Sequence, residues 1–142
     1  MTVGLVRYSP EEWFEYAEAS HKLVFKEIRD PAMDRISFAL LAYDSVGPIG
    51  YVTCRELDSE SLYWQYGGAI EGRRGLPAVR GFDAFLEETR KQYKRITTLV
   101  ENGNVSYLHL AMQKGFRIIG VRCFKGQVLV ELFKEFENAI QV

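Results

Sequence analysis

The period of the apolar positions changes along this chain, and each change predicts an element. Val3 to Tyr8 is a short apolar run that reads as a strand. Ser9-Pro10-Glu11-Glu12 starts a helix: Ser9 caps it, Pro10 takes the first helical position and Glu12 closes a capping box. Trp13, Ala17, Ser20 and Val24 follow at helical spacing, and the helix is expected to stop before Asp30-Pro31, because the residue before proline avoids the helical region. Ile36 to Tyr43 is apolar at alternate and intervening positions alike, the pattern of a central strand covered on both faces. Two further strands, Ile49–Leu57 and Leu62–Ala69, complete an antiparallel meander with turns at Asp44–Pro48 and Asp58–Ser61. Strict alternation along the last of them puts Tyr63 and Gln65 on one face and Tyr66 on the other.

The second half starts with a helix from Leu76 or Pro77 to Tyr93, its apolar stripe made of Val79, Phe82, Phe85, Leu86 and Tyr93. Ile96 to Val100 is a β-branched strand, and Asn102 or Asn104 can cap the helix that follows. Val105, Leu108 and Met112 mark that helix's expected inner face, and Lys114-Gly115-Phe116 its left-handed stop. Strands Phe116–Val121 and Gln127–Lys134 flank a tight turn at Lys125-Gly126. The expected order is β-α-β-β-β-α-β-α-β-β, an α+β class with helices on both sides of a mixed sheet.

Composition narrows the function classes without naming one. A chain of 142 residues fits a single domain over 1–142. A net charge of −1 gives no surface suited to nucleic acid, and no apolar run approaches a membrane span. Cys54 and Cys123 lie in no metal spacing and read as reduced core residues of a cytoplasmic protein. His21 and His109 read as surface, so no metal site is expected.

The run from Asn104 through Leu110 to Gly115-Phe116, followed by a strand ending in Gly120, resembles the C-terminal half of the GNAT N-acetyltransferase superfamily. The element order extends the likeness over nearly the whole chain. The Tyr-Trp-Gln-Tyr-Gly-Gly strand and the Tyr-Lys-Arg-Ile-Thr-Thr-Leu-Val-Glu-Asn run resemble small phage or prophage members. The resemblance implies acetyl-CoA as cosubstrate and a primary amine as acceptor, on a small molecule or a protein, with a homodimer allowed.

It also implies a site. The strands matching Leu62–Ala69 and Ile96–Glu101 would splay apart, and Gly67, Gly68, Ala69 and Ile70 would offer backbone groups to the pantetheine arm. Gly67-Gly68 marking only a β-bulge is the other reading. The loop with Gly72, Arg73, Arg74 and Gly75 would hold the pyrophosphate at a helix N-terminus. It departs from the superfamily signature, with Pro77 and Val79 where small residues belong, and surface arginines are the competing account. Asn104 matches the asparagine that bonds the pantetheine arm, a role compatible with capping. Glu101 and Glu71 are the carboxylates nearest the splay, as bases or as solvated residues. Ala111 stands where the family often has an acidic tyrosine, which leaves Tyr107, one turn earlier, as acid or as packing. An acetyltransferase and a GNAT-shaped binding or assembly module without catalysis both remain open, as does an unrelated α+β domain.

Overall fold

The computed structural model describes residues 2–19, 35–70 and 72–136. The strands are β1 (Gly4–Tyr8), β2 (Phe38–Tyr43), β3 (Pro48–Glu56), β4 (Ser61–Ala69), β5 (Arg95–Glu101), β6 (Arg117–Phe124) and β7 (Gln127–Glu135). The helices among the described residues are α1 (Pro10–Ala19), α2 (Leu76–Arg90) and α3 (Val105–Gln113). One sheet holds all seven strands in the order β1-β2-β3-β4-β5-β7-β6. Every neighbouring pair is antiparallel except β4 and β5. The expected order of elements is the observed one. The expected helical stretch from Ser20 to Arg29 lies outside the described residues, as do His21 and the tail from Glu137.

Two cores form because β2 is apolar on both faces. Phe38, Leu40 and Ala42 face α2 and α3, in a core with Trp64, Phe82, Phe85, Ile96, Ala111, Phe116 and Leu132. Ala39 and Leu41 face the other way, with Trp13 and Phe14 of α1, Tyr51 and Ile70. Gly81 lets α2 lie close on the sheet: a methyl there would stand 3.3 Å from Ile49 and 3.4 Å from Ala42.

Local signals set the helix ends. The capping box is complete, with Ser9 N–H donating to Glu12 Oε1 at 2.9 Å and Glu12 N–H to Ser9 Oγ at 3.2 Å. At the end of α3, Gly115 takes φ +95, Phe116 N–H donates to the Ala111 carbonyl at 3.0 Å and Gly115 N–H to that of Met112 at 3.1 Å. These are the two bonds of a Schellman stop, whose left-handed residue is glycine because it lacks a Cβ. α2 ends at Arg90, three residues earlier than expected, while Tyr93 is still buried.

Three local expectations are corrected. The inner face of α3 is Leu108 and Ala111, with Tyr107 and Leu110 beside them; Val105 and Met112 are exposed, because the helix packs by a narrow face and leaves its rim open. Cys123 is exposed on the edge strand β6, and only Cys54 is in the core, where burial pushes its thiol up and leaves it unreactive. Tyr63 and Tyr66 share a face, because one extra residue in β4 interrupts the alternation between them.

Replacing Ser9 by Ala is expected to lower stability by about 1 kcal/mol at pH 7, read from the urea midpoint. The hydrogen bond from Ser9 N–H is the largest cause holding the Glu12 carboxyl below its usual value. A depressed folded pKa gives stability that is present above the unfolded value, about 4.3, and lost as pH falls through the folded one. Alanine at position 9 keeps that N–H, so the gap expected to narrow in acid is the one between wild type and Glu12→Gln, and a gap independent of pH would contradict this account.

Candidate active site

The centre of the molecule is a fork between β4 and β5. Their parallel ladder covers Ser61–Trp64 against Arg95–Thr98 and stops there. Beyond that point each strand follows its other neighbour. β5 stays paired with β7 to Glu101, and β4 stays paired with β3 to Ala69. The register between β3 and β4 shifts at Thr53/Cys54, where Cys54 faces Trp64 and Thr53 faces Tyr66. Gln65 is thus the extra residue of a β-bulge, which bends the strand and increases its twist. The bulge lies before Gly67-Gly68, which pair regularly with Val52 and Tyr51.

The bulge decides which amides the fork exposes. Ile70 N–H donates to the Ile49 carbonyl at 2.7 Å. Since backbone groups alternate sides along a strand, Gly68 and Ile70 turn theirs toward β3, and Gly67 and Ala69 turn theirs into the gap. Gly67 is also a close approach, since a Cβ there would lie 3.0 Å from the Tyr51 carbonyl oxygen. The Ile70 side chain is buried on the α1 side. Of the four residues expected to supply the edge, Gly67 and Ala69 present backbone groups to the slot, while Gly68 lines the wall through its other atoms.

A cavity of about 820 Å³ opens from this slot and runs between α2 and α3. Its floor includes Trp64 and Phe82, which meet edge to face with ring centroids 5.6 Å apart, and Tyr107 packs on Phe82 at 5.8 Å. One wall is Arg74, Gly75, Ala78 and Val79 at the start of α2; the other is Asn104, Ser106, His109 and Gln113 along α3. His109 is exposed, as expected, and also forms part of this wall, with Gln113 Nε2 3.2 Å from its Nε2. The recurrence of Ser106, His109, Leu110 and Gln113 at helical spacing is the signal that would have found this wall.

The loop before α2 divides its two arginines. Arg73 turns inward, forms an ion pair with Asp44 and donates to the carbonyls of Gly47 at 3.1 Å and Pro48 at 3.2 Å. Its side chain is 13% exposed and that of Asp44 3%, so this guanidinium fastens the loop to the β2–β3 turn. Hydrogen bonding from Arg73 is also the main cause holding the Asp44 carboxyl below its usual range. Arg74 is exposed at the cavity wall. Gly75 caps α2 with φ +90 and makes no side-chain cap hydrogen bond, and among the described residues no side chain is seen to take up the first-turn amides. Pro77 lies in that turn, where its missing N–H removes no bond within the helix. Gly72 is an exposed turn residue with φ +82.

Asn104 caps α3, its Oδ1 accepting from Tyr107 N–H at 3.3 Å, and it also borders the cavity. Burial pushes the Tyr107 phenol well above its usual value, which keeps it protonated and makes it a weaker acid than an exposed tyrosine. Ala111 is fully buried in the core. Glu101 is exposed at the end of β5, with its carbonyl accepting from Asn104 N–H at 2.9 Å. Glu71 lies outside the described residues. Among the described residues no group of three or more His, Cys, Asp or Glu side chains is placed to hold a metal ion.

Arg73→Ala is expected to lower the melting temperature by several degrees, because it leaves the Asp44 carboxylate enclosed without its cation. Arg74→Ala should leave the melting temperature unchanged. Equal effects of the two variants would contradict this division of labour.

No protein-family model and no curated protein matches the chain. Solved structures match over nearly the full length. Ard1 from Thermoplasma volcanium superposes with a TM-score of 0.73 at 13% identity, covering 97% of this chain and 100% of that one. Naa50 from Arabidopsis thaliana, in complex with the bisubstrate analogue CoA-Ac-MVNAL, gives 0.72 at 18% identity, with 96% and 100% covered. A GNAT family acetyltransferase from Elizabethkingia anophelis with acetyl-CoA bound gives 0.63 at 18% identity, with 94% and 98% covered. Sequence identities this low speak to architecture alone, and by that measure this chain has the GNAT acyl-CoA N-acyltransferase fold.

Proposed function

We propose that this chain is an acetyl-CoA-dependent N-acetyltransferase that acetylates a primary amine. The observation that carries the reading is the fork: a parallel pair that parts after Trp64 and Thr98 and leads into a cavity of about 820 Å³. The backbone groups of Gly67 and Ala69 that face the gap have the pattern an extended pantetheine arm matches, as an added strand would. The bound acetyl-CoA and CoA-containing analogue of the Elizabethkingia and Arabidopsis structures support the same ligand here.

Each part of the ligand has a fitting counterpart. The uncapped first turn of α2, with Gly75 and the exposed Arg74, suits the pyrophosphate, because free amides, helix dipole and guanidinium all favour an anion. Gly72 belongs to the same loop, whose shape Arg73 maintains from behind. Asn104 borders the slot while capping α3. Ile70 and Gly68 act by keeping β4 on β3.

Acetyl-CoA supplies an activated thioester. The amine nitrogen forms a bond to the carbonyl carbon, the carbon–sulfur bond breaks, the amine gives up a proton and the sulfur gains one. The Gly67 and Ala69 N–H groups donate to the developing oxyanion in this reading. Tyr107, which lines the cavity against Phe82, is the donor for the leaving thiolate. Glu101, exposed beyond the fork, accepts the amine proton through solvent, with Glu71 as the second carboxylate. The chain acts in the cytoplasm as one domain; the free, exposed thiol of Cys123 accords with a reducing compartment. No helix among the described residues is long and apolar enough to cross a membrane. A non-catalytic GNAT-fold binding module is the second reading, favoured by the fully buried Ala111 where the family often has its acid.

Acetyl-CoA at 100 times its Kd should stabilise the fold by about 2.7 kcal/mol, read as a rise in melting temperature. Absence of any rise at millimolar acetyl-CoA would remove the enzyme and leave the binding or assembly module. With an acceptor in hand, Tyr107→Phe and Glu101→Gln should each slow turnover at least about tenfold while leaving that rise intact. Unchanged turnover would eliminate the residue concerned.

A further inference from the structure

The sheet of the described residues has two open edges, and they differ. β1, at one end, is five residues long and half-buried except at Arg7. β6, at the other, is eight residues long and exposed at every position but Gly120. Ile118, Ile119, Val121 and Phe124 of β6 and Val128 of β7 are 40–61% exposed. β6 contains no proline and no lysine, the residues that ordinarily blunt such an edge, and its Arg122 is tied to Glu131 at 3.1 Å. A long apolar edge left bare is a template for another strand.

The hairpin decides which backbone groups this edge offers. Lys125 and Gly126 both have positive φ, +50 and +79, as a two-residue type I′ turn requires, so Phe124 and Gln127 beside it form a hydrogen-bonded pair. Such pairs alternate along an antiparallel ladder. Phe124, Arg122 and Gly120 therefore turn their N–H and C=O groups to β7, while Cys123 and Val121 turn theirs outward. The Val128 carbonyl, opposite Cys123, accepts from Asn102 N–H at 2.8 Å on the far side of β7, as this alternation demands.

Few antiparallel registers let the edge meet itself across a two-fold axis. An axis at Arg122 would set two guanidinium groups directly opposite each other, which is unfavourable. An axis at Cys123 would run Val121 into the Lys125 turn of the other copy. An axis at Val121 pairs two outward-facing residues, and lays Arg122 opposite Gly120 and Cys123 opposite Ile119 of the second copy. A Cβ on Gly120 would lie 3.2 Å from Glu131 Oε1, so a carboxylate stands over the bare glycine where the second copy's Arg122 arrives. Arg122 and Glu131 of the two copies then alternate in charge around the axis. We propose that β6 is the interface of a homodimer, its two copies pairing antiparallel about a two-fold axis at Val121 and joining the two sheets. The occupant is a second copy because the edge complements itself in charge and in backbone direction. No residue of β6 lines the cavity, so the inference does not rest on the acetyl-CoA reading.

Sedimentation equilibrium at up to about 100 μM should give twice the 16.3 kDa of one chain. Val121→Lys, which places two ammonium groups opposite each other, should give a monomer with an unchanged far-UV circular dichroism spectrum. Val46→Lys, at a bare valine of the β2–β3 turn, should leave the dimer intact. Mild oxidation of Val121→Cys combined with Cys123→Ser should link the copies, since a residue on the axis faces its own counterpart at a Cα separation of about 5.5 Å, within reach of a disulfide. Wild-type Cys123, facing Ile119, should stay unlinked. A monomeric wild type, a dimer that survives Val121→Lys, or linkage through Cys123 in place of position 121 would each overturn the proposal.

Discussion

The arrangement depends on a strand with two neighbours that diverge. β4 hydrogen-bonds to β3 on one side along its length and to β5 on the other, but β5 is committed to β7 through Glu101. Once the bulge at Gln65 adds twist to β4, both commitments cannot be met by one continuous ladder. The ladder that gives way is the shortest one, four parallel rungs. Its failure leaves bare backbone groups beside a cavity, which a folded protein tolerates only where water or a ligand satisfies them.

The surroundings keep this gap from closing or spreading. Trp64, Phe82 and Phe116 pack with ring centroids 5.6–6.1 Å apart beneath it, so the floor is a block of aromatic rings held by β4, α2 and the chain after α3. Arg73 ties the loop at the mouth to the β2–β3 turn. Lys114 and Asp83 join α3 to α2 at 2.9 Å. The two helices that form the walls are thus fixed to each other and to the sheet, and their first turns both lie at the end where the strands part.

Much of this was legible in the chain because it is encoded locally. The two-faced apolar run at Phe38–Ala42, the Ser9–Glu12 box and the Lys114-Gly115-Phe116 stop each depend on residues a few positions apart, and each forms as its spacing requires. The slot between β4 and β5 was expected from the family resemblance and not from any local pattern. What stayed hidden depends on distant partners. Arg73 and Arg74 are adjacent and chemically identical, and only Asp44, 29 residues away, separates their tasks. The bulge at Gln65 has no mark of its own in Tyr63–Gly68, and shows only in the register with β3, which shifts at Thr53/Cys54. Val105 and Met112 fit a helical stripe, but α3 sits at a rim, where the stripe that counts is set by how far the sheet extends beneath it.

The most direct measurement is residue-by-residue amide hydrogen exchange across Gly67–Ile70, with and without acetyl-CoA. The fork predicts alternation in the free protein: Gly68 and Ile70 protected by β3, Gly67 and Ala69 exchanging quickly, and the latter pair slowing when acetyl-CoA is added. Uniform protection of all four in the free protein would mean that the strands are zipped together and the slot does not exist.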